Sequence, residues 1–208
     1  MKKRENEMKD WMDVVFLLDR SGSMSGSEED TIGGYNGYIQ SHKRKNMRVT
    51  TVLFDDKYEM LHKQVPICEV KKMTKKEYFV RGCTALLDAI GKSIEYMDEK
   101  KAKKVLFMIT TDGLENASWQ FNKAQIKELI EGHPNYEFVY IGADIDSYAE
   151  ARQIGIRDNN ISNYKKDKKG TSLLYKALGK VSDMFLEEEE LDYSWKEELE
   201  DYLDENLE

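Results

Sequence analysis

Apolar residues in this chain fall into two patterns. Three short runs, Val14 to Leu18, Val105 to Ile109 and Phe138 to Ile141, are rich in β-branched and aromatic residues and lack strict alternation. Strands covered on both faces have that character. Elsewhere apolar residues recur at helical spacing. One set is Ile32, Tyr35 and Ile39, and a second is Leu86, Ile90, Ile94 and Met97. A third is Ile126, Leu129 and Ile130, and a fourth is Leu174, Ala177, Leu178, Val181 and Phe185. Each stripe predicts a helix with one buried face. The third helix is expected to follow Ser118 as its N-cap and to stop near Gly132 and Pro134. Aromatic and Met members of these stripes read as core.

Two further strands are expected, Arg48 to Phe54 and Tyr58 to Val65, separated by the turn-like Asp55-Asp56-Lys57. So short a connection makes an antiparallel hairpin. A weaker strand is expected near Asn160 to Tyr164. Strands alternating with helices imply a parallel sheet with right-handed crossovers. The predicted fold is therefore α/β and doubly wound. Its central sheet is mostly parallel with one antiparallel edge strand, and helices cover both faces. We divide the chain into a flexible N-terminus (1–10), one α/β domain (11–186) and an acidic C-terminal tail (187–208).

Charge sharpens that division. The net charge is −8, yet Glu187 to Glu208 holds twelve acids and the single base Lys196. The remainder has 31 bases against 28 acids. A body so near neutrality argues against a nucleic-acid partner. The run Lys165, Lys166, Lys168 and Lys169, broken by Asp167, reads as a solvated loop. No apolar run has membrane-spanning length, and Met1 to Asp13 lacks the apolar stretch of a secretion signal. Cys68 and Cys83 lack metal-ligand spacing and suit a reducing compartment. The expectation is a cytoplasmic protein that engages neither membrane nor nucleic acid.

Ligands of an open parallel sheet bind beyond the carboxyl ends of its strands. After the first strand comes Asp19-Arg20-Ser21-Gly22-Ser23-Met24-Ser25-Gly26. Gly22 and Gly26 allow a tight curl, and alternate residues Asp19, Ser21 and Ser23 can face one point. A carboxylate with two hydroxyls is a hard, all-oxygen ligand set suited to Mg²⁺, Mn²⁺ or Ca²⁺. A second stretch, Gly82-Cys83-Thr84-Ala85-Leu86-Leu87-Asp88-Ala89, puts Thr84 at the start of the second helix, where it could equally be a simple cap. A third, Thr110-Thr111-Asp112-Gly113, puts Asp112 after a buried strand. Glu115 and Asn116 read as surface residues at the rim, and Asp88 as a capping or supporting group.

Asp-x-Ser-x-Ser, Gly-x-Thr-Ala-Leu-x-Asp-Ala and Thr-Asp-Gly, in that order, resemble the metal-ion-dependent adhesion site of von Willebrand factor A domains. The resemblance spans Val14 to Phe185. It implies metal ligation by Asp19, Ser21, Ser23, Thr84 and Asp112, with Mg²⁺ as the expected ion. It also implies a non-enzymatic role, in which the bound metal recognises an Asp or Glu carboxylate on a protein partner. The Lys-rich, compact chain is most similar to intracellular bacterial or phage members. The alternative is a Mg²⁺-dependent phosphoesterase with Asp19 as nucleophile, although the position for its general acid holds Ser21. Other motifs fail. Gly91-Lys92-Ser93 lacks the leading glycine of a phosphate loop, since position 86 is Leu. His42, His62 and His133 are isolated.

Overall fold

The computed structural model describes residues 11–205; the expected flexible N-terminus, 1–10, lies outside the described residues. Six strands form one sheet: β1 (Met12–Asp19), β2 (Met47–Phe54), β3 (Tyr58–Pro66), β4 (Val105–Thr111), β5 (Tyr136–Gly142) and β6 (Ile161–Asn163). Their spatial order is β3-β2-β1-β4-β5-β6. All pairs are parallel except β2–β3, whose register joins Phe54 to Tyr58 across the Asp55-Asp56-Lys57 turn. Among the described residues six α-helices accompany them: α1 (Glu28–His42), α2 (Leu86–Glu99), α3 (Lys123–Gly132), α4 (Ser147–Gln153), α5 (Lys168–Leu186) and α6 (Glu197–Asp204). This is the doubly wound architecture that the apolar pattern predicts.

Every residue of β1 is buried, and alternate side chains go to opposite faces. Val14, Phe16 and Leu18 join Tyr35 and Ile39 of α1 and Leu174 and Leu178 of α5 in one core layer. Val15 and Leu17 join Ile90 and Ile94 of α2, Ile126 of α3 and Ala151 of α4 in the other. Double coverage explains why these strands carry no polar alternation.

Two local expectations are corrected. Helix α3 begins after Asn122, not Ser118. Asn122 and Gln125 form a reciprocal capping box, while the Ser118 hydroxyl accepts the Asp88 amide of α2. The acidic C-terminal segment, read as a mobile tail, docks on the domain through Leu191, Trp195, Lys196 and Leu199, while Glu187–Glu190 stay exposed. Trp195 and Leu199 are each 1% exposed. The Trp195 indole donates to the Asn159 carbonyl at 2.8 Å. Lys196, the one base among the acids, is buried with its ammonium on Ile161 O at 2.6 Å and Tyr148 Oη at 2.8 Å. These few apolar contacts, with an internal ammonium that satisfies free carbonyls, outweigh the solubility of the acids around them. Among the described residues no helix is long and apolar enough to cross a membrane.

Truncating Trp195 to Ala removes the largest fully buried side chain. It is expected to destabilise the domain by about 3–5 kcal/mol, read as a lower urea midpoint at unchanged slope. A change of only a few tenths would mean that the segment adds nothing to the fold.

Candidate metal centre

Strand β1 lies between β2 and β4: the chain runs from β1 to β2 and β3 on one side, then crosses back from β3 to β4 on the other. The carboxyl ends of β1 and β4 therefore flank the topological switch point, where an open α/β sheet leaves a crevice. Asp19 is the last residue of β1, and Asp112 follows the last residue of β4.

The first loop is fixed from both sides. Arg20 is fully buried and donates to Asp55 at 2.8 Å and to Glu59 at 2.8 Å. Burial would raise the Asp55 carboxyl, but hydrogen bonds from Arg81, the Lys57 amide and Arg20 outweigh it and hold the pKa below its ordinary value. Backbone bonds run from Arg81 N to Arg20 O at 2.9 Å and from Gly22 N to Gly82 O at 3.2 Å. The first and second loops are thus one unit, anchored to the β2–β3 turn. Gly82 has φ +69, a left-handed conformation that favours glycine, and a Cβ there would have to displace the exposed Asp56 carboxylate. Of the two first-loop glycines, Gly26 has the left-handed φ.

All five sequence-predicted residues meet at this crevice. Asp19 Oδ1 accepts the Ser21 amide at 2.7 Å, and Oδ2 accepts the Thr111 hydroxyl at 2.5 Å. The Ser21 and Ser23 hydroxyls are 2.9 Å apart. Ser23 donates to Asp112 Oδ1 at 2.5 Å. Gly113 gives an independent measure of convergence. A Cβ built there would lie 2.7 Å from Thr84 Oγ1, 3.1 Å from Ser23 Oγ and 3.7 Å from Ser21 Oγ. Three hydroxyls from two loops therefore border one point beside Asp112.

Helix α2 carries no side-chain cap of its own; its N-cap position is Ala85. The third loop supplies the caps instead. Glu115 accepts the Leu87 amide at 2.9 Å, and Ser118 accepts the Asp88 amide. In return the Asp88 carboxylate accepts the amides of Gln120 and Phe121, both at 3.0 Å. Asn116 accepts the Thr84 amide at 2.9 Å. Glu115 is therefore a half-buried structural group of the loop, not the plain surface residue expected, while Asn116 is exposed as expected and also holds the Thr84 amide. The Thr84 hydroxyl is not consumed in capping.

Two functional neighbours escaped sequence reasoning. Thr111 bridges Asp19 and the third loop through bonds to Asp19 and Gly113. Lys166, read as part of a solvated loop, reaches in to place its ammonium 2.7 Å from Asp112 Oδ2 and 2.7 Å from Ser23 O. No pattern in the sequence marks either. A lysine two residues before the fifth helix has no periodic signature of its target.

Electrostatics follow from burial. Asp19 is 0% exposed. Desolvation pushes its pKa up from 3.8 to about 6, against the opposing hydrogen bonds from Thr111 and Ser21, and Asp112 adds a smaller upward push. The fold thus holds a carboxylate that is reluctant to be charged beside a second carboxylate. Among the described residues no three His, Cys, Asp or Glu side chains cluster. The available donor set is two carboxylates and three hydroxyls, all hard oxygens, as Mg²⁺, Mn²⁺ and Ca²⁺ require. The Lys166 ammonium seated on Asp112 shows that the point attracts positive charge. The residues fit a divalent cation.

No protein-family model matches the sequence, and no protein of curated function matches it either. Solved structures do match. The vWF domain of the type V pili tip protein Mfa5 from Porphyromonas gingivalis superposes with TM-score 0.66 at 11% identity, covering 84% of this chain and 96% of that one. Proximal thread matrix protein 1 from the mussel byssus, with a zinc-occupied MIDAS motif, gives TM-score 0.60 at 15% identity over 82% of this chain. This chain spans 45% of that protein. Manganese-loaded TRAP from Plasmodium vivax gives TM-score 0.57 at 20% identity over 80% of this chain and 72% of that one.

The raised Asp19 pKa has a definite sign. Between about pH 4 and 6 the folded state binds more protons at Asp19 than the unfolded state, so this group's contribution to stability falls as pH rises through that window. In chelator, Asp19→Asn is expected to remove that slope. It should also stabilise the protein at neutral pH by up to roughly 3 kcal/mol. Urea titrations from pH 4 to 7.5 measure it; parallel wild-type and variant curves would show that Asp19 carries no desolvation strain.

Proposed function

We propose that this chain, which has the von Willebrand factor A fold, is a divalent-metal-binding interaction module that recognises a carboxylate on a protein partner. One observation carries the reading: the hydroxyls of Ser21, Ser23 and Thr84, from the loop after β1 and the segment leading into α2, border one point beside Asp112, and Asp19 is bonded to the Ser21 amide next to it. Asp19, Ser21, Ser23, Thr84 and Asp112 would hold the ion, directly or through water. Mg²⁺ is the expected occupant, and Mn²⁺ or Ca²⁺ suit the same donors. With one carboxylate bound directly and hydroxyls in the other positions, the ion would keep positive charge that an anionic group can approach.

The chain's own residues would do the rest. The mutually capped second and third loops hold the Thr84 hydroxyl in place without spending it. Beyond the oxygens lies a rim with apolar features. Leu114, directly after Gly113, is 55% exposed, and Trp119 on the same loop is 81% exposed. Large exposed apolar side chains beside a charged site fit a protein surface better than a small solute. The pilus-tip protein and the other matched structures support an interaction role in the same sense.

Binding rather than phosphoester chemistry is favoured by the engagement of Asp19. Both of its oxygens accept hydrogen bonds, and it is fully buried. Ser21 also stands where a general acid would be needed. We assign the protein to a reducing, cytoplasmic setting, on the ground that Cys68 and Cys83 are both free and exposed.

Calorimetric titration of the chelator-stripped protein with Mg²⁺ tests the metal reading. Wild type is expected to bind, Asp19→Ala to lose binding, and Thr84→Ala to lose about tenfold or more. Absence of binding in the wild type overturns the assignment. The partner is tested by affinity capture from extracts of the source cell, with and without chelator. Capture should be chelator-sensitive and should fall for Trp119→Ala while that variant's Mg²⁺ isotherm stays unchanged.

A further inference from the structure

The segment between β6 and α5 aims one side chain into the candidate metal centre. Lys166 Nζ lies 2.7 Å from Asp112 Oδ2 and 2.7 Å from the Ser23 carbonyl. The Asp112 side chain is fully buried in this pair, and that of Lys166 is 21% exposed. Ser23 and Asp112 are both members of the five-residue oxygen set. The ammonium is therefore not at the rim. It sits on two of the groups that would serve a cation.

An ammonium donates three hydrogen bonds and accepts none. It cannot ligate a metal, and it can only compete for the same oxygens. Asp112 divides its two oxygens, with Ser23 on Oδ1 and Lys166 on Oδ2. A divalent ion drawing on Asp112 would face the ammonium's charge at close range, in a buried place where screening is weak.

The backbone around Lys166 is firmly held. Tyr164 N donates to Gly142 O at 2.9 Å, and Asp167 N to Lys165 O at 2.8 Å. Asp167 caps α5 through the Gly170 amide at 2.7 Å and accepts the Tyr202 hydroxyl of α6 at 3.0 Å. The four-carbon stem is the flexible part. The ammonium can withdraw by rotamer change while the segment stays in place.

We propose that Lys166 is a tethered competitor for the cation site: its ammonium and the divalent ion draw on the same Asp112 carboxylate, so Lys166 lowers the site's metal affinity and is displaced when the ion binds. This rests on the metal-binding reading above. It makes Lys166 a determinant of affinity that no motif of the oxygen set includes. A released ammonium at the mouth of the site also presents positive charge toward an incoming acidic partner.

Two measurements test it together. In calorimetric titrations with Mg²⁺, Lys166→Met is expected to bind roughly tenfold more tightly than wild type, a typical size for coupling between two sites. Lys166→Arg, which keeps the charge, should stay near wild type. In the wild-type protein, acetylation of Lys166 by an amine-reactive reagent, followed by mass spectrometry, should increase when Mg²⁺ is added, while Lys92 on α2 serves as the unresponsive control. Unchanged or weaker Mg²⁺ binding by Lys166→Met overturns the proposal. So does acetylation at Lys166 that ignores Mg²⁺. If wild type binds Mg²⁺ and Asp19→Ala does not, such a failure falls on Lys166 alone. If no form binds Mg²⁺, the metal reading fails and this inference with it.

Discussion

Two buried carboxylates at the ends of neighbouring strands set the terms for this molecule. Asp19 closes β1 and Asp112 follows β4, and those strands are paired residue for residue in the middle of the sheet. Neither chain direction nor register can move one carboxylate away from the other without breaking the sheet. Burial penalises charge on Asp19, and Asp112 adds to the penalty. A buried anion without a partner is expensive, so the surroundings are arranged to supply compensation. Ser21, Ser23 and Thr111 donate hydrogen bonds, and Lys166 supplies a positive charge. The loops, the caps and the position of α5 can all be read as consequences of holding negative charge at this one place.

Most of the fold was legible because the strands here are covered on both faces. Runs such as Val14 to Leu18 and Val105 to Ile109 have no reason to be apolar throughout unless two helical layers cover them, and two do. The hairpin was legible from its turn residues. What escaped notice was written in few residues. Helix α4 is seven residues long, too short for a periodic stripe. In the C-terminal segment the acids dominate the composition, yet Leu191, Trp195 and Leu199 recur at a four-residue spacing and are buried. Net charge describes the solvated face of such a segment, and three apolar residues decide whether it docks. Ser118 satisfied the pattern of an N-cap but found a better acceptor role on a neighbouring helix. Local propensity names a capping residue without naming which helix it caps.

The candidate site divides in the same way. Asp19, Ser21 and Ser23 stand at fixed spacing after a strand, and Thr84 and Asp112 head contiguous motifs, so chemistry and order pointed to one place. Thr111 and Lys166 carry no such signal. Each is one common residue whose role depends on which atom it faces across 92 or 54 positions of sequence. A surface lysine and a site lysine look alike until the backbone is laid out. The same holds for Glu115, whose carboxylate accepts the Leu87 amide of α2 and the Ala117 and Ser118 amides of its own loop.

The exchange of caps between α2 and the third loop explains how the site can be both buried and ready. A helix start normally uses a hydroxyl or carboxylate at its N-cap to satisfy its first amides. Here Glu115 and Ser118 satisfy two of those amides from outside, while Asp88 of α2 returns the service to Gln120 and Phe121. Thr84 is thereby left with an uncommitted hydroxyl at the helix start, and the loop bearing Asp112 and Gly113 is locked against α2. The Arg20–Asp55 pair locks the first loop to the β2–β3 turn in the same manner. Most of the backbone around the five side chains is held by bonds that do not use their oxygens; the exception is the Ser21 amide, which donates to Asp19. Among the side chains that touch Asp112, Lys166 has the longest flexible stem, and the backbone on either side of it is held through Tyr164 and Asp167.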